Sequence, residues 1–128
     1  MNIGDLAKLS GVNAKLIRHY ESIGIIPKAA RTDSGYRSYT ENDVQFLRFI
    51  KRARSLGFSM KEIKKLVSLW RNKSRASRDV KALAFDQIEA LEKKIKEMQE
   101  MLNTLQMLAK NCHGDNRPDC PIIKGLEG

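Results

Sequence analysis

The sequence predicts a mostly α-helical chain: a winged helix-turn-helix DNA-binding head followed by one long dimerisation helix that pairs with another copy of itself as a coiled coil. Three observations carry this. Ala84, Ile88, Leu91, Ile95, Met98, Leu102, Leu105 and Ala109 step by four and three without a break, the signature of a heptad seam. Two short amphipathic segments flank a Ser-Gly turn near the start, and a strand-like stretch around a glycine follows them. The charge is also split, with 17 Lys+Arg against 6 Asp+Glu in residues 1–78 and 7 against 9 in residues 79–128.

The formal net charge of +9 is thus +11 in the front part and −2 behind it. A compact basic head points to a polyanion, with nucleic acid ahead of an anionic membrane surface. No segment approaches the ~18 apolar residues of a membrane span, and the first residues lack the basic-then-apolar run of a signal peptide. A cytoplasmic protein is expected. In that reducing compartment two cysteines ligate metal or sense redox state in preference to forming a structural disulfide. An enzyme is disfavoured, because no carboxylate pair, nucleophile and base set, or phosphate-cradling glycine loop is present.

Taken in order, Asn2 can cap a first helix over Ile3 to Leu9, with Asp5 in its first turn, and Ser10 and Gly11 break it. A second helix begins near Asn13. At ~100° per residue Leu16, Ile17, Tyr20 and Ile23 fall on one side, and Lys15, Arg18, His19 and Ser22 on the other. Two helices across a glycine turn, the second with a basic outer face, describe a helix-turn-helix with its recognition helix. Gly24 to Pro27 ends it. Ala30 to Tyr39 then reads as two short strands around Asp33-Ser34-Gly35. Arg31, Tyr36, Arg37 and Tyr39 make this hairpin basic and aromatic, so it is either a wing against the phosphate backbone or an ordinary solvated turn.

Thr40 opens a third helix with Val44, Leu47 and Ile50 inward and Arg48, Lys51, Arg52 and Arg54 outward, and Gly57 ends it. Ser59 to Glu62 is a capping box for a fourth helix that turns Ile63, Leu66, Val67 and Trp70 inward, Trp70 as a core anchor. The expected divisions are a head over 1–70, a polar hinge over 71–78, the coiled-coil helix over 79–110, and a loop with a short final helix over 111–128. The long helix would measure ~48 Å, and the chain holds no second helix of that length, so a homodimer is expected.

Cys112 and Cys120 lie in the last segment, where Gly114 and Pro118 keep the intervening span irregular. Pro121 is a favoured first helical residue and leaves Cys120 at the cap position. Closed zinc sites need four ligands, and the only local additions are His113, Asp115 and Asp119. A two-thiolate site suits a soft monovalent ion such as Cu(I). The positive end of the final helix favours the Cys120 thiolate. His113 is either a third ligand or a solvent-facing loop residue.

A monovalent ion between two thiolates leaves a net negative charge that needs a counter-charge when enclosed. Running the heptad backwards puts Lys81 and Ser77 on the apolar seam. If the two long helices run antiparallel, these residues meet the other protomer's cysteine loop; seam periodicity does not decide the orientation. Lys81 reads equally as part of a frayed first turn with its ammonium in water.

The opening Asn2 to Ala7, the run Ile17-Arg18-His19-Tyr20-Glu21, Gly35-Tyr36-Arg37, Ala53 to Phe58, and Cys112 with Cys120-Pro121-Ile122-Ile123 are similar to the MerR family of metal-responsive transcription regulators. The resemblance spans residues 1–126 and is strongest to the family's copper-efflux branch. It implies an antiparallel homodimer on a promoter whose two elements lie too far apart. Metal would switch that DNA from a repressing to an activating distortion, realigning the elements for RNA polymerase. Such a switch requires metal to favour one dimer geometry over another. The resemblance also implies that Lys15 and Arg18 reach base edges, with His19 beside them, while Tyr20, Arg31, Tyr36, Arg37 and Arg54 fix the DNA backbone and its bend. The family's divalent sensors carry cysteine where this chain has Ser77. That departure favours Cu(I), Ag(I) or Au(I), one ion per two-cysteine site, over Zn(II), Hg(II) or Pb(II).

Overall fold

A computed structural model describes residues 1–27, 29–31 and 37–128, with the backbone alone at Ala30, Arg31 and Arg37. Helix α1 (Ile3–Ser10) starts where Asn2 closes a capping box: its side-chain oxygen accepts from the Asp5 N–H at 2.8 Å, and Asp5 accepts from the Asn2 N–H at 3.4 Å. The helix runs one residue beyond expectation because Ser10 is buried, its hydroxyl accepting from the Val12 N–H at 3.2 Å. Gly11 then ends it at a φ of 74°, a left-handed conformation suited to glycine. Helix α2 (Ala14–Ser22) begins at Asn13, whose side chain accepts from the Leu16 N–H at 2.8 Å.

Strands β1 (Ala30–Arg31) and β2 (Arg37–Ser38) pair antiparallel, Ala30 opposite Ser38 and Arg31 opposite Arg37. The expected loop at Asp33-Ser34-Gly35, Tyr36, and the side chains of Arg31 and Arg37 lie outside the described residues. Helix α3 (Glu41–Ser55) opens with the Thr40 N–H donating to Asp43 Oδ2 at 2.9 Å. Helix α4 (Met60–Arg71) opens on the Ser59–Glu62 box, with reciprocal bonds of 2.9 and 3.2 Å.

Helix α5 (Ser77–Lys110) has 34 residues, about 51 Å at the usual rise. It starts two residues before the expected 79, and α4 includes Arg71, so the segment expected at 71–78 contracts to 72–76. Local polar groups close α4: the Arg75 guanidinium donates to the Trp70 carbonyl at 3.2 Å, and just beyond, the Ser74 N–H donates to Asn72 Oδ1 at 3.0 Å. The chain divides into two compact units, Met1–Leu83 and Ala84–Gly128, with the boundary inside α5.

In the first unit α1 packs on α2 and α3, and α3 on α4. Leu6, Ile17, Leu47, Ile50 and Ile63 fill the centre, while Leu16, Ile23 and Leu66 pack half-buried around it. Trp70 anchors the margin of this core, stacked on Phe49 at 4.5 Å and edge-on to Phe46 at 5.1 Å. Arg48 Nη2 donates to the Leu9 carbonyl at 3.0 Å, tying α3 to the end of α1. In the second unit α6 (Pro121–Glu127) folds back onto the end of α5, so closely that a Cβ at Gly125 would lie 2.9 Å from Leu108 Cδ2. The seam residues stay exposed, Ile95 at 65% and Met98 at 66%. No helix among the described residues is long and apolar enough to cross a membrane.

Candidate nucleic-acid interface and metal centre

Helix α2 builds the first surface by its own period. Ile17 and Tyr20 are buried and Leu16 is half-buried, which leaves Lys15, Arg18, His19 and Ser22 exposed together on the outer face. These are cations and hydrogen-bond donors on one accessible helix face, as base reading in a major groove requires.

Tyr20, inward by helical period and also expected to fix the DNA backbone, is 2% exposed, its ring on the apolar face one turn after Ile17, and its hydroxyl accepts from Nη1 of the exposed Arg54 at 2.8 Å. Tyr39, expected to decorate the hairpin, is also buried. Its hydroxyl donates to Glu21 Oε1 at 2.6 Å.

Lys51 stands one turn before Arg54 and reaches over the helix-turn-helix turn, where a Cβ on Gly11 would lie 2.6 Å from its Nζ. Lys51, Arg54, Asn13 and Leu16 border a hollow beside that turn. The spacing of three between Lys51 and Arg54 puts both on one face of α3, the sequence signal that joins Lys51 to the candidate interface.

The second site lies at the end of the other unit. Cys112 follows α5, its N–H donating to the Ala109 carbonyl at 3.2 Å, and Cys120 caps α6. Gly114, at a φ of 64°, lets the chain turn between them. Both thiols are free and half-buried, with their sulfurs 3.4 Å apart. Hydrogen bonding from the Ile123 N–H, then from Cys112, holds the Cys120 thiol below its usual range, with burial opposing. A stabilised thiolate is the form that attacks electrophiles and binds metal.

Among the described residues no third His, Cys, Asp or Glu joins the pair as a cluster of three. Asp115 is engaged by Arg117 at 2.8 Å. The donor set fits a soft, low-coordinate ion. Ser77 begins α5, and Lys81 is exposed one turn later, both within the first compact unit.

Residues 1–69 match the MerR HTH family regulatory proteins, and residues 44–108 match the family described as MerR, DNA binding. Heavy metal-dependent transcription regulator 2 of Rhizobium meliloti (strain 1021) is 60% identical, over 98% of this chain and 86% of its own length. The HTH-type transcriptional regulator CueR of Escherichia coli O157:H7 is 41% identical over 100% of this chain and 95% of its own. The transcription regulator PbrR691 from Ralstonia metallidurans CH34, crystallised in complex with lead(II), is 31% identical with a TM-score of 0.86, covering 98% of each chain. With its capped helix-turn-helix, its basic outer face and these relatives along its whole length, the chain belongs to the MerR family, as a DNA-binding transcription regulator and not an enzyme.

Proposed function

We propose that this regulator responds to Cu(I), and to Ag(I) and Au(I), and that as a cytoplasmic homodimer it distorts the promoter of copper-efflux genes to activate RNA polymerase when metal is bound. The carrying observation is the Cys112–Cys120 pair, two sulfurs 3.4 Å apart with no third ligand clustered on them among the described residues. Two thiolates satisfy a soft monovalent ion and leave a divalent one short of ligands. The heavy metal-dependent relative and CueR support a metal effector; the lead(II) complex of PbrR691 marks the competing divalent class.

In this reading Lys15, Arg18 and His19 address base edges, and Arg31, Tyr36, Arg37 and Arg54 follow the DNA backbone, with Tyr20 acting through Arg54. The exposed seam of α5 forms the antiparallel dimer. Ser77 and Lys81 then complete the surroundings of the other protomer's cysteine loop, Lys81 offsetting the charge of a metal dithiolate.

In vitro transcription from the neighbouring promoter, titrated with Cu(I), Zn(II) and Pb(II) under thiol reductant, tests this. Cu(I) should raise transcript output while Zn(II) and Pb(II) do not, and Cys112→Ser should abolish the response with DNA still bound. Activation by Zn(II) or Pb(II), or a Cys112→Ser protein that still answers Cu(I), overturns the assignment. Ser77→Cys should broaden the response toward divalent ions, and an unchanged metal profile would remove Ser77 from the selectivity argument.

The same sulfur separation favours one other reading, a regulatory disulfide formed by peroxide. Mass spectrometry separates the two: retained Cu(I) under reductant supports metal sensing, whereas a linkage formed with peroxide and no metal uptake supports redox sensing.

A further inference from the structure

We infer that Glu21 and Tyr39 form a latch that sets the hairpin against the recognition helix, making both of them positioning residues for DNA reading. The inference rests on the proposed DNA-reading role of α2 and the hairpin.

Glu21 lies in the last turn of α2, four residues after Ile17 and therefore on the inward face, and is only 4% exposed. An ionised carboxylate accepts through two oxygens and donates through neither. Oε1 accepts from the Tyr39 hydroxyl at 2.6 Å, one residue after β2. Oε2 accepts from the Ala29 N–H at 3.4 Å, one residue before β1. Both arms of the hairpin thus end on one side chain of the helix whose opposite face presents Lys15, Arg18 and His19.

A neutral apolar residue would fill this place without the desolvation cost of a carboxylate. What an apolar residue lacks is direction, since dispersion contacts tolerate rotation whereas a charge-assisted hydrogen bond fixes distance and angle. Tyr39 is held on a second side as well: its N–H donates to the Met1 carbonyl at 2.8 Å, and the Met1 nitrogen donates to its carbonyl at 2.9 Å. The hairpin base therefore cannot swing without breaking bonds to α2 and to the segment leading into α1. Phosphate contacts made by the hairpin are kept in register with base contacts made by α2.

Tyr39→Phe and Glu21→Gln keep shape and remove one tie each. In the second, an amide NH2 replaces one acceptor, so either the Tyr39 or the Ala29 bond to this side chain is lost. The test compares wild type and both variants by fluorescence anisotropy on the promoter fragment at several salt concentrations, with circular-dichroism melts alongside. Ile63→Val, a core change on α4, serves as the control for lost stability alone. The latch predicts proteins folded at the assay temperature, promoter affinity about tenfold weaker, and a slope of log affinity against log salt flatter by about 1 to 2. Ile63→Val should melt earlier and keep the wild-type slope. Wild-type affinity and slope in both folded variants, or equal flattening in Ile63→Val, would overturn the latch. Should Tyr39→Phe melt below the assay temperature, Glu21→Gln decides alone. Failure of the wild type to bind the fragment would instead sink the DNA-reading role, a distinguishable result.

Discussion

The two compact units treat apolar residues in opposite ways. In Met1–Leu83 the large aliphatic side chains Leu6, Ile17, Leu47, Ile50 and Ile63 are sealed from solvent. In Ala84–Gly128 residues of the same kind, Ile88, Leu91, Ile95, Leu102 and Leu105, stand exposed in a regular row. The first unit contains its own core, whereas the second displays half of one. Covering such a row is worth on the order of 10 kcal/mol at the usual yield per buried side chain, before the entropy of association is subtracted. On the proposed reading the seam carries the assembly and the head carries the recognition.

The largest expected effect comes from breaking that contrast in the second unit. Leu91→Glu would place a carboxylate on each side of a symmetric seam and should weaken the dimer by roughly 3–5 kcal/mol. Sedimentation should then report a monomer, while a persistent dimer mass would move the interface off this row. Next is the recognition face. Arg18→Ala should cost about 1–3 kcal/mol of promoter binding and relax sequence preference, and equal weakening on all DNA would reassign Arg18 to a phosphate contact.

Tyr20→Phe sharpens the picture of the head. It removes the oxygen that accepts from Arg54 Nη1 at 2.8 Å and should lower stability by about 1 kcal/mol, read as a melting shift. The smallest change is local to α4. Ser59→Ala should cost about 1 kcal/mol at neutral pH through the lost cap. The Ser59 N–H, then its hydroxyl, hold the Glu62 carboxyl below its ordinary value. A lowered folded-state pKa means that this stabilisation is complete above the unfolded-state value and fades as pH falls through the folded one. The melting difference between wild type and Ser59→Ala should accordingly shrink in acid; a difference that grows in acid would contradict the assigned bonds.

Much of the molecule was legible because its signals are local. Asn2, Asn13 and Ser59 each satisfy an N–H three residues ahead, so the cap and its partner sit within one short window of sequence. The outward placement of Lys15, Arg18 and His19 follows from helical period once Ile17 is inside. Tyr39 misled because a tyrosine next to Arg37 and Ser38 on a short hairpin reads as exposed until the element behind it is known. Tyr20 is inward by helical period, as found, and its hydroxyl bond to the exposed Arg54 could not be read from the sequence. Polarity alone blurs the ends of the segment after α4: Asn72 and Arg75 are engaged in local side-chain bonds there, whereas the equally polar Ser77 and Arg78 are already helical.

By itself the sequence determined the helices, the helix-turn-helix order, the basic face of α2, the apolar row of α5 and the thiol pair as the candidate metal centre. All of these depend on spacing within a few turns of one element or on composition within one segment. Tertiary structure alone decided which chemistry-bearing side chains meet. Glu21 reaches Tyr39 across 18 residues and Arg54 reaches Tyr20 across 34. Cys112 and Cys120 approach to 3.4 Å through a glycine turn, with α6 folded onto Leu108. Contacts between elements are fixed by packing and by the pairing of buried polar groups, and no periodicity along a single helix encodes them.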